Sequence, residues 1–404
     1  MSAAWLTDTQ SDDIRQIAVS VPQLATRAII SDLNLFFNDS SKITTIPAAL
    51  LMSLFCMSSS LNWIDHRQLG LQYLVQARAV ISVLDMRSWA LSDDDRGLLA
   101  FFKHCLTYEE AVRSVVTSNH EAVHTDAIKP SSDILPLTDL TLHPWTGVPP
   151  KIISLLGKAM KVCRESRELW RNNTIATLEV MRQATVHICR GQDLEEMLLS
   201  VEVPSVSKEK DDSDFNIECH LYYATESFRL CSLLQLYLTF PDLVSRRLPQ
   251  YVSADGLVPK ARWLTPLALH ITGLLLKIPH DSSMRCLQPL LCLCIGTGLR
   301  CDIGEDPESN NRFEPIYPAS HMDAIGVAEE NGVSSAPLPL DVRLARKFIV
   351  SRLEKLERGL PAKPIVILQK LLRAVWSSYD HETSGGAPHW IDIMTSLNYE
   401  SVFG

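Results

Sequence analysis

Apolar residues recur at helical spacing along almost the whole chain, while strand signals are scarce. A chain patterned this way can bury its apolar stripes only by packing helix on helix. PAALLMSLFCMSSSL (47–61) opens with Pro47, suited to a first helical turn, and is apolar almost all round, as a central helix should be. HRQLGLQYLVQARAVISVLDM (66–86) carries Leu69, Tyr73, Ala77, Val80 and Leu84 at spacings of four and three, which predicts a second helix. Ser92 reads as an N-cap, with Asp93, Asp94 and Asp95 in the dipole-favoured first turn of a helix whose face is Leu99, Phe102 and Leu106. Further helices are expected from about Pro149 to Trp170, from about Thr174 to Arg190, and again from Cys219. VRLARKFIVSRLEKLE (342–357) shows a stripe of Val342, Ala345, Ile349, Leu353 and Leu356, with charges opposite. Segments 117–142 and 203–215 read as loops, and 302–341, rich in Pro, Ser, Asn and acidic residues, as a mobile insertion. The expectation is an all-α fold: one large helical domain over 1–404, built from antiparallel helix pairs around a buried core.

With 46% hydrophobic and 21% charged residues, the 404-residue chain has enough apolar side chains for a sizeable core. Its net charge of −9 repels phosphate, so direct DNA binding by this chain alone is not expected. The N-terminus has neither a basic region nor a long apolar run, so it is not a signal peptide. The most apolar stretches, 264–278 and 287–299, fall short of the roughly 20 residues a membrane span needs. The ten cysteines lack any C-x-x-C spacing, which argues against a metal site and for reduced core thiols inside a cell.

The stretch HPWTGVPPKIISLLGKAMKVCRES (143–166) poses the sharpest question about chemistry, because a turn running into a helix is also how phosphate is cradled. A P-loop needs G-x-x-x-x-G-K-[ST]; Gly147 and Gly157 are ten apart and Lys158 precedes Ala159, so a rigid corner between helices is the better reading. GTGLRC (296–301) lacks the third glycine of a dinucleotide fingerprint and reads as a helix C-terminus ending at Gly298. Neither G-x-S-x-G nor H-E-x-x-H occurs, although a Cys–His dyad can assemble only in space and stays open. The acidic motifs SDDDR (92–96) and DDSD (211–214) keep one enzyme alternative, a terpene-cyclase-like helical protein using magnesium. Trp63, Trp89, Trp145, Trp170, Trp263 and Trp376 fit core packing at least as well as a ligand cavity, and the pair Arg246–Arg247 is too thin for a nucleic-acid patch. No catalytic, cofactor-binding or metal residue is therefore assigned, and ligand-binding residues are not identified.

The order of segments resembles the regulatory domain, or middle homology region, of fungal zinc-cluster transcription factors, in the branch of sterol- and arginine-responsive regulators. The matching segments are the Pro-led helix from Pro47 to Ser60, QYLVQARAVISVL, LLAFFKHCLTYEEAV, and the HPWTG turn before IISLLGKAMKVC. LQPLLCLCIGTGLR (287–300), VRLARKFIVSRLEKLE and LLRAVWSSYD (371–380) follow in the family's order. Two departures are a missing tryptophan near Leu287 and the long insertion at 302–341. The family's six-cysteine zinc cluster and its coiled-coil segment are missing from a sequence that starts at Met1, so no DNA-binding domain is expected. The resemblance implies a transcriptional regulator in a fungal nucleus, of a secondary-metabolite gene set, with no cofactor and no enzymatic activity. Implied partners are other transcription regulators or coactivators, a small hydrophobic effector, or a second copy in a homodimer, and no membrane. A ligand-sensing scaffold without a transcriptional role is the remaining alternative.

Overall fold

The computed structural model describes residues 12–38, 44–117, 142–143, 146–203, 212–301, 341–381 and 388–403. The expected loops and insertion lie mostly outside them, at 118–141, 204–211 and 302–340. The described residues form an all-α structure of thirteen α-helices, with helices packed around a buried core and no strand.

Helices α1 (Asp12–Asn38), α2 (Ala48–Ile64), α3 (Leu71–Met86) and α4 (Asp93–Ser114) enclose a smaller apolar cluster around Leu51, Leu54, Phe55, Ala77, Val80, Leu84 and Phe102. The larger cluster is built on α5 (Pro150–Asn172), which packs against α4, α6 (Leu178–Ser200) and α7 (Asp212–Thr239). Helices α8 (Pro241–Arg247) and α9 (Leu264–Leu276) follow, and α10 (Gln288–Gly296) threads the middle, with all nine residues buried. Helices α11 (Val342–Glu357), α12 (Ala362–Asp380) and α13 (Trp390–Ser396) close the far side, α11 and α12 resting on α10 and α13 on α5 and α12.

Local chemistry explains most boundaries. Ser92 caps α4 as expected, its Oγ accepting the Asp95 amide at 3.1 Å. All five stripe residues of α11 are buried, as are Leu99, Phe102 and Leu106 on α4. Five boundaries differ from the sequence reading. Helix α3 starts at Leu71 because Gly70 sits at φ 64° against the backbone of α2. Helix α6 starts later than Thr174, where Thr177 accepts the Val180 amide, and it runs through Gly191 to Ser200 because that glycine makes room for the Phe240 ring. Helix α7 begins at Asp212, inside the expected loop 203–215, and α10 ends at Gly296 rather than Gly298. Helix α1 was not singled out by periodicity, since Pro22 interrupts it; Thr26 Oγ1 donates to the Pro22 carbonyl at 2.8 Å and meets Tyr73 Oη at 2.7 Å.

Gly70 makes the α2–α3 junction. A Cβ there would stand 2.3 Å from the Ser58 carbonyl oxygen, and the left-handed backbone disfavours any L side chain. Gly70→Ala is expected to destabilise the chain by about 2–4 kcal/mol, read as a lower urea midpoint at unchanged slope.

Candidate functional site

The junction at 143–150 is architectural. His143 is buried, its Nδ1 accepts the Thr146 amide at 3.1 Å, and its carbonyl accepts the Gly147 amide at 2.8 Å. Gly147 takes φ 69° with no space for a Cβ beside Leu221, and Pro150 then opens α5. The Thr146 and Gly147 amides and His143 Nδ1 are thus used in closing the corner, which is the reading the sequence favoured.

This corner also brings together the one Cys–His pair with a close approach among the described residues, Cys105 Sγ at 3.8 Å from His143 Nε2. Burial and the Glu109 charge push the Cys105 thiol up to about 12, while burial and the neighbouring His104 hold His143 down to about 4. Both groups are thus neutral at physiological pH, and the thiolate needed for nucleophilic attack does not form. Burial likewise pushes the Cys163 and Cys292 thiols up to about 12.

The acidic motifs part company. In SDDDR, Ser92 caps the helix, Asp95 accepts the Ile46 amide at 3.1 Å and so fastens the segment entering α2, and Asp93 pairs with Arg96. Asp211 lies outside the described residues, as do the side chains of Asp212 and Asp214. No group of three or more His, Cys, Asp or Glu able to hold a metal is found among the described residues.

The basic pair Arg246–Arg247 has a role that the sequence did not reveal. Both guanidiniums bind Glu195, which is 0% exposed and also accepts Tyr237 Oη at 2.9 Å. Two cations and a phenol satisfy one buried carboxylate, and the pair closes α8 onto α6 and α7. Nothing in the local sequence links positions fifty residues apart.

The described tryptophans do not converge on one cavity. Trp263 and Trp376 are buried and donate to the carbonyls of Val258 and Gly296, Trp89 is largely exposed, and Trp145 lies outside the described residues. A cleft of about 310 Å³ opens beside Arg67, Asn398 and Glu400. Its charged lining does not suit the small hydrophobic effector that the resemblance implied.

Two histidines carry a pH signature. His389 Nδ1 accepts the Ile391 amide at 3.2 Å to cap α13, and burial, with Arg167 and Lys260 nearby, holds it down to about 3. Protonating Nδ1 of His143 or His389 removes an acceptor from a backbone N–H. In the unfolded chain both histidines titrate near 6.5, so their contribution is complete above that pH and is lost as the pH falls toward the folded values of about 4 and 3. Thermal melts are expected to drop from pH 6.5 downward, by up to about 1.4 kcal/mol per pH unit for each histidine, and substituting both with Gln should make the profile less steep, with His187, His220 and His270, also held down by burial, leaving a residual slope.

No helix among the described residues is long and apolar enough to cross a membrane. Searches of curated proteins and of solved structures find no match to this chain. A comparison with protein families does: the profile described as "Fungal specific transcription factor domain" matches residues 2–302, which takes in α1 through α10. With well over half of the sequence matched, and with the helix order already pointing the same way, the chain belongs to the fungal-specific transcription factor domain family, a family of transcription regulators.

Proposed function

We propose that this chain regulates transcription in a fungal nucleus, controlling a secondary-metabolite gene set through other transcription regulators or coactivators and not through DNA contacts of its own. The family match over residues 2–302 carries the proposal. Two features support the indirect mode. The net charge of −9 disfavours a phosphate backbone, and the Arg246–Arg247 pair is held by Glu195. The acidic SDDDR run serves as a helix cap, which leaves the magnesium-dependent reading without its first motif.

The test is deletion of the gene in its host, followed by transcript profiling. A coordinated change across a set of biosynthetic genes is the expected result, and an unchanged transcriptome would refute the reading. In a mobility-shift assay at physiological salt, the purified chain alone is expected to leave promoter DNA unshifted. A specific shift by the chain alone would replace partner-mediated action with direct binding.

A further inference from the structure

Buried polar atoms without a hydrogen bond collect at one place in this fold. Four such side-chain atoms occur among the described residues, and three of them are Arg164 Nε, Asp392 Oδ1 and Thr395 Oγ1. Arg164 lies on α5, Asp392 and Thr395 lie one turn apart on α13, and the Asp392 charge acts on Arg164. The Glu400 charge does so too, and Glu400 lines the cleft of about 310 Å³ with Arg67 and Asn398. Ser401 Oγ donates to Asn62 Oδ1 on α2 at 3.3 Å, which sets the C-terminal tail beside the turn that carries Arg67. The Asn398 amide donates to the Thr395 carbonyl at 3.2 Å, so the end of α13 runs directly into the cleft wall.

The unmet hydrogen bonds define what would meet them. Arg164 is 5% exposed, its Nη1 donates to the Val115 carbonyl at 3.2 Å, and it forms no ion pair with another described residue. A buried cation without a counter-ion calls for an anion. The exposed Arg67 guanidinium is a second cation at the cleft. Asp392 differs, because its Oδ2 already pairs with Arg167, and Arg171 stands 3.9 Å from Oδ1, too far to donate. Oδ1 therefore calls for a neutral donor, and the Thr395 hydroxyl can donate or accept. Asn398 and Glu400 add an amide and a further acceptor, which favours a hydroxylated acid over a bare anion.

We propose that this cleft binds a short hydroxycarboxylate, its carboxylate held by Arg164 and Arg67 and its hydroxyl by Asp392 and Thr395. The cleft is at the small end of the range for ligand sites and admits a molecule of a few carbons. Asp392, Thr395, Asn398 and Glu400 lie beyond residue 302, so the site is a feature of this chain outside the region that the family profile matches.

Isothermal titration calorimetry on the full chain tests this with four small probes: glycolate, acetate, ethylene glycol and glycine. Glycolate is expected to bind with a dissociation constant on the order of 1–10 mM. Acetate lacks the hydroxyl, ethylene glycol lacks the carboxylate, and glycine puts a second charge in place of the hydroxyl, so each should bind about tenfold more weakly or worse. Arg164 also supports the end of α4 through Val115, so the variants are placed elsewhere. Arg67→Gln should weaken glycolate and acetate alike, and Thr395→Val should weaken glycolate about tenfold, to the level of acetate. Both variants should melt as the wild type does, because Arg67 is exposed and Thr395 Oγ1 has no partner in the fold. No saturable heat with glycolate up to about 50 mM, acetate or glycine binding as tightly as glycolate, or Thr395→Val binding like the wild type would each overturn the proposal. None of these outcomes bears on the transcript-profiling result, so the two readings fail separately.

Discussion

A chain ending at residue 302, where the family match stops, is expected to aggregate when expressed. The matched region stops short of helices that pack on its core. Helix α10 lies wholly inside the protein, and much of what covers it comes from beyond residue 341. Trp376 Nε1 donates to the Gly296 carbonyl at 2.8 Å, and Tyr379 Oη to that of Thr297 at 3.0 Å. Arg352 Nη1 bonds the Gln288 side chain at 2.7 Å and the Ile278 carbonyl at 2.6 Å. Leu372 packs so closely on Gly296 that a Cβ there would meet it at 2.5 Å. Truncation also removes the buried Ile349, Leu353, Leu368, Leu371, Val375 and Trp390 from the common core. At about 1.5–3 kcal/mol per large buried side chain, the loss of about 9–18 kcal/mol is as large as the 5–15 kcal/mol by which typical domains are stable. The check is the soluble fraction and thermal melt of the 1–302 chain beside the full chain. A soluble, cooperatively melting fragment would show that α11 to α13 are an appendage.

Arg113→Leu is expected to cost about 3–5 kcal/mol, the cost of leaving a buried charge without its partner. Arg113 is 1% exposed and satisfied throughout: Nε donates to the Leu69 carbonyl at 2.7 Å, Nη2 to the Ser58 carbonyl and Oγ at 3.0 and 2.7 Å, and Nη1 pairs with the Glu109 carboxylate. One side chain thereby ties the end of α2, the turn before α3 and the body of α4. Leucine would strand Glu109, itself buried, with only the Ser59 hydroxyl at 3.2 Å. The double change Arg113→Leu with Glu109→Leu should recover much of the loss, because removing both charges costs less than removing one. Urea midpoints of the four proteins measure the coupling. Additive losses would mean that the guanidinium acts through its carbonyl contacts alone.

Individual elements show where sequence reading succeeds. The Val342–Leu356 stripe, the Ser92 cap and the His143–Gly147 corner were legible because each is a local pattern, decided within one or two helical turns. The same locality explains the errors. Gly191 reads as a helix end in isolation, yet it is a contact point for Phe240. Pro22 hides α1, although tertiary packing on α2 and α3 holds that helix together. As for the candidate site, glycine spacing argued against a phosphate loop, but no local pattern shows that Cys105 and His143 meet, or that they meet as neutral groups.

What the chain's sequence alone determined was the class of fold and the stripe each helix buries, because apolar spacing acts through neighbours three and four residues away. Which polar groups meet was settled only in three dimensions. Gln235 accepts Trp390 Nε1 from 155 positions away, and Arg167 binds Asp392 across 225. A buried amide or carboxylate must find a partner wherever the packed helices put one, and no short-range pattern encodes that address.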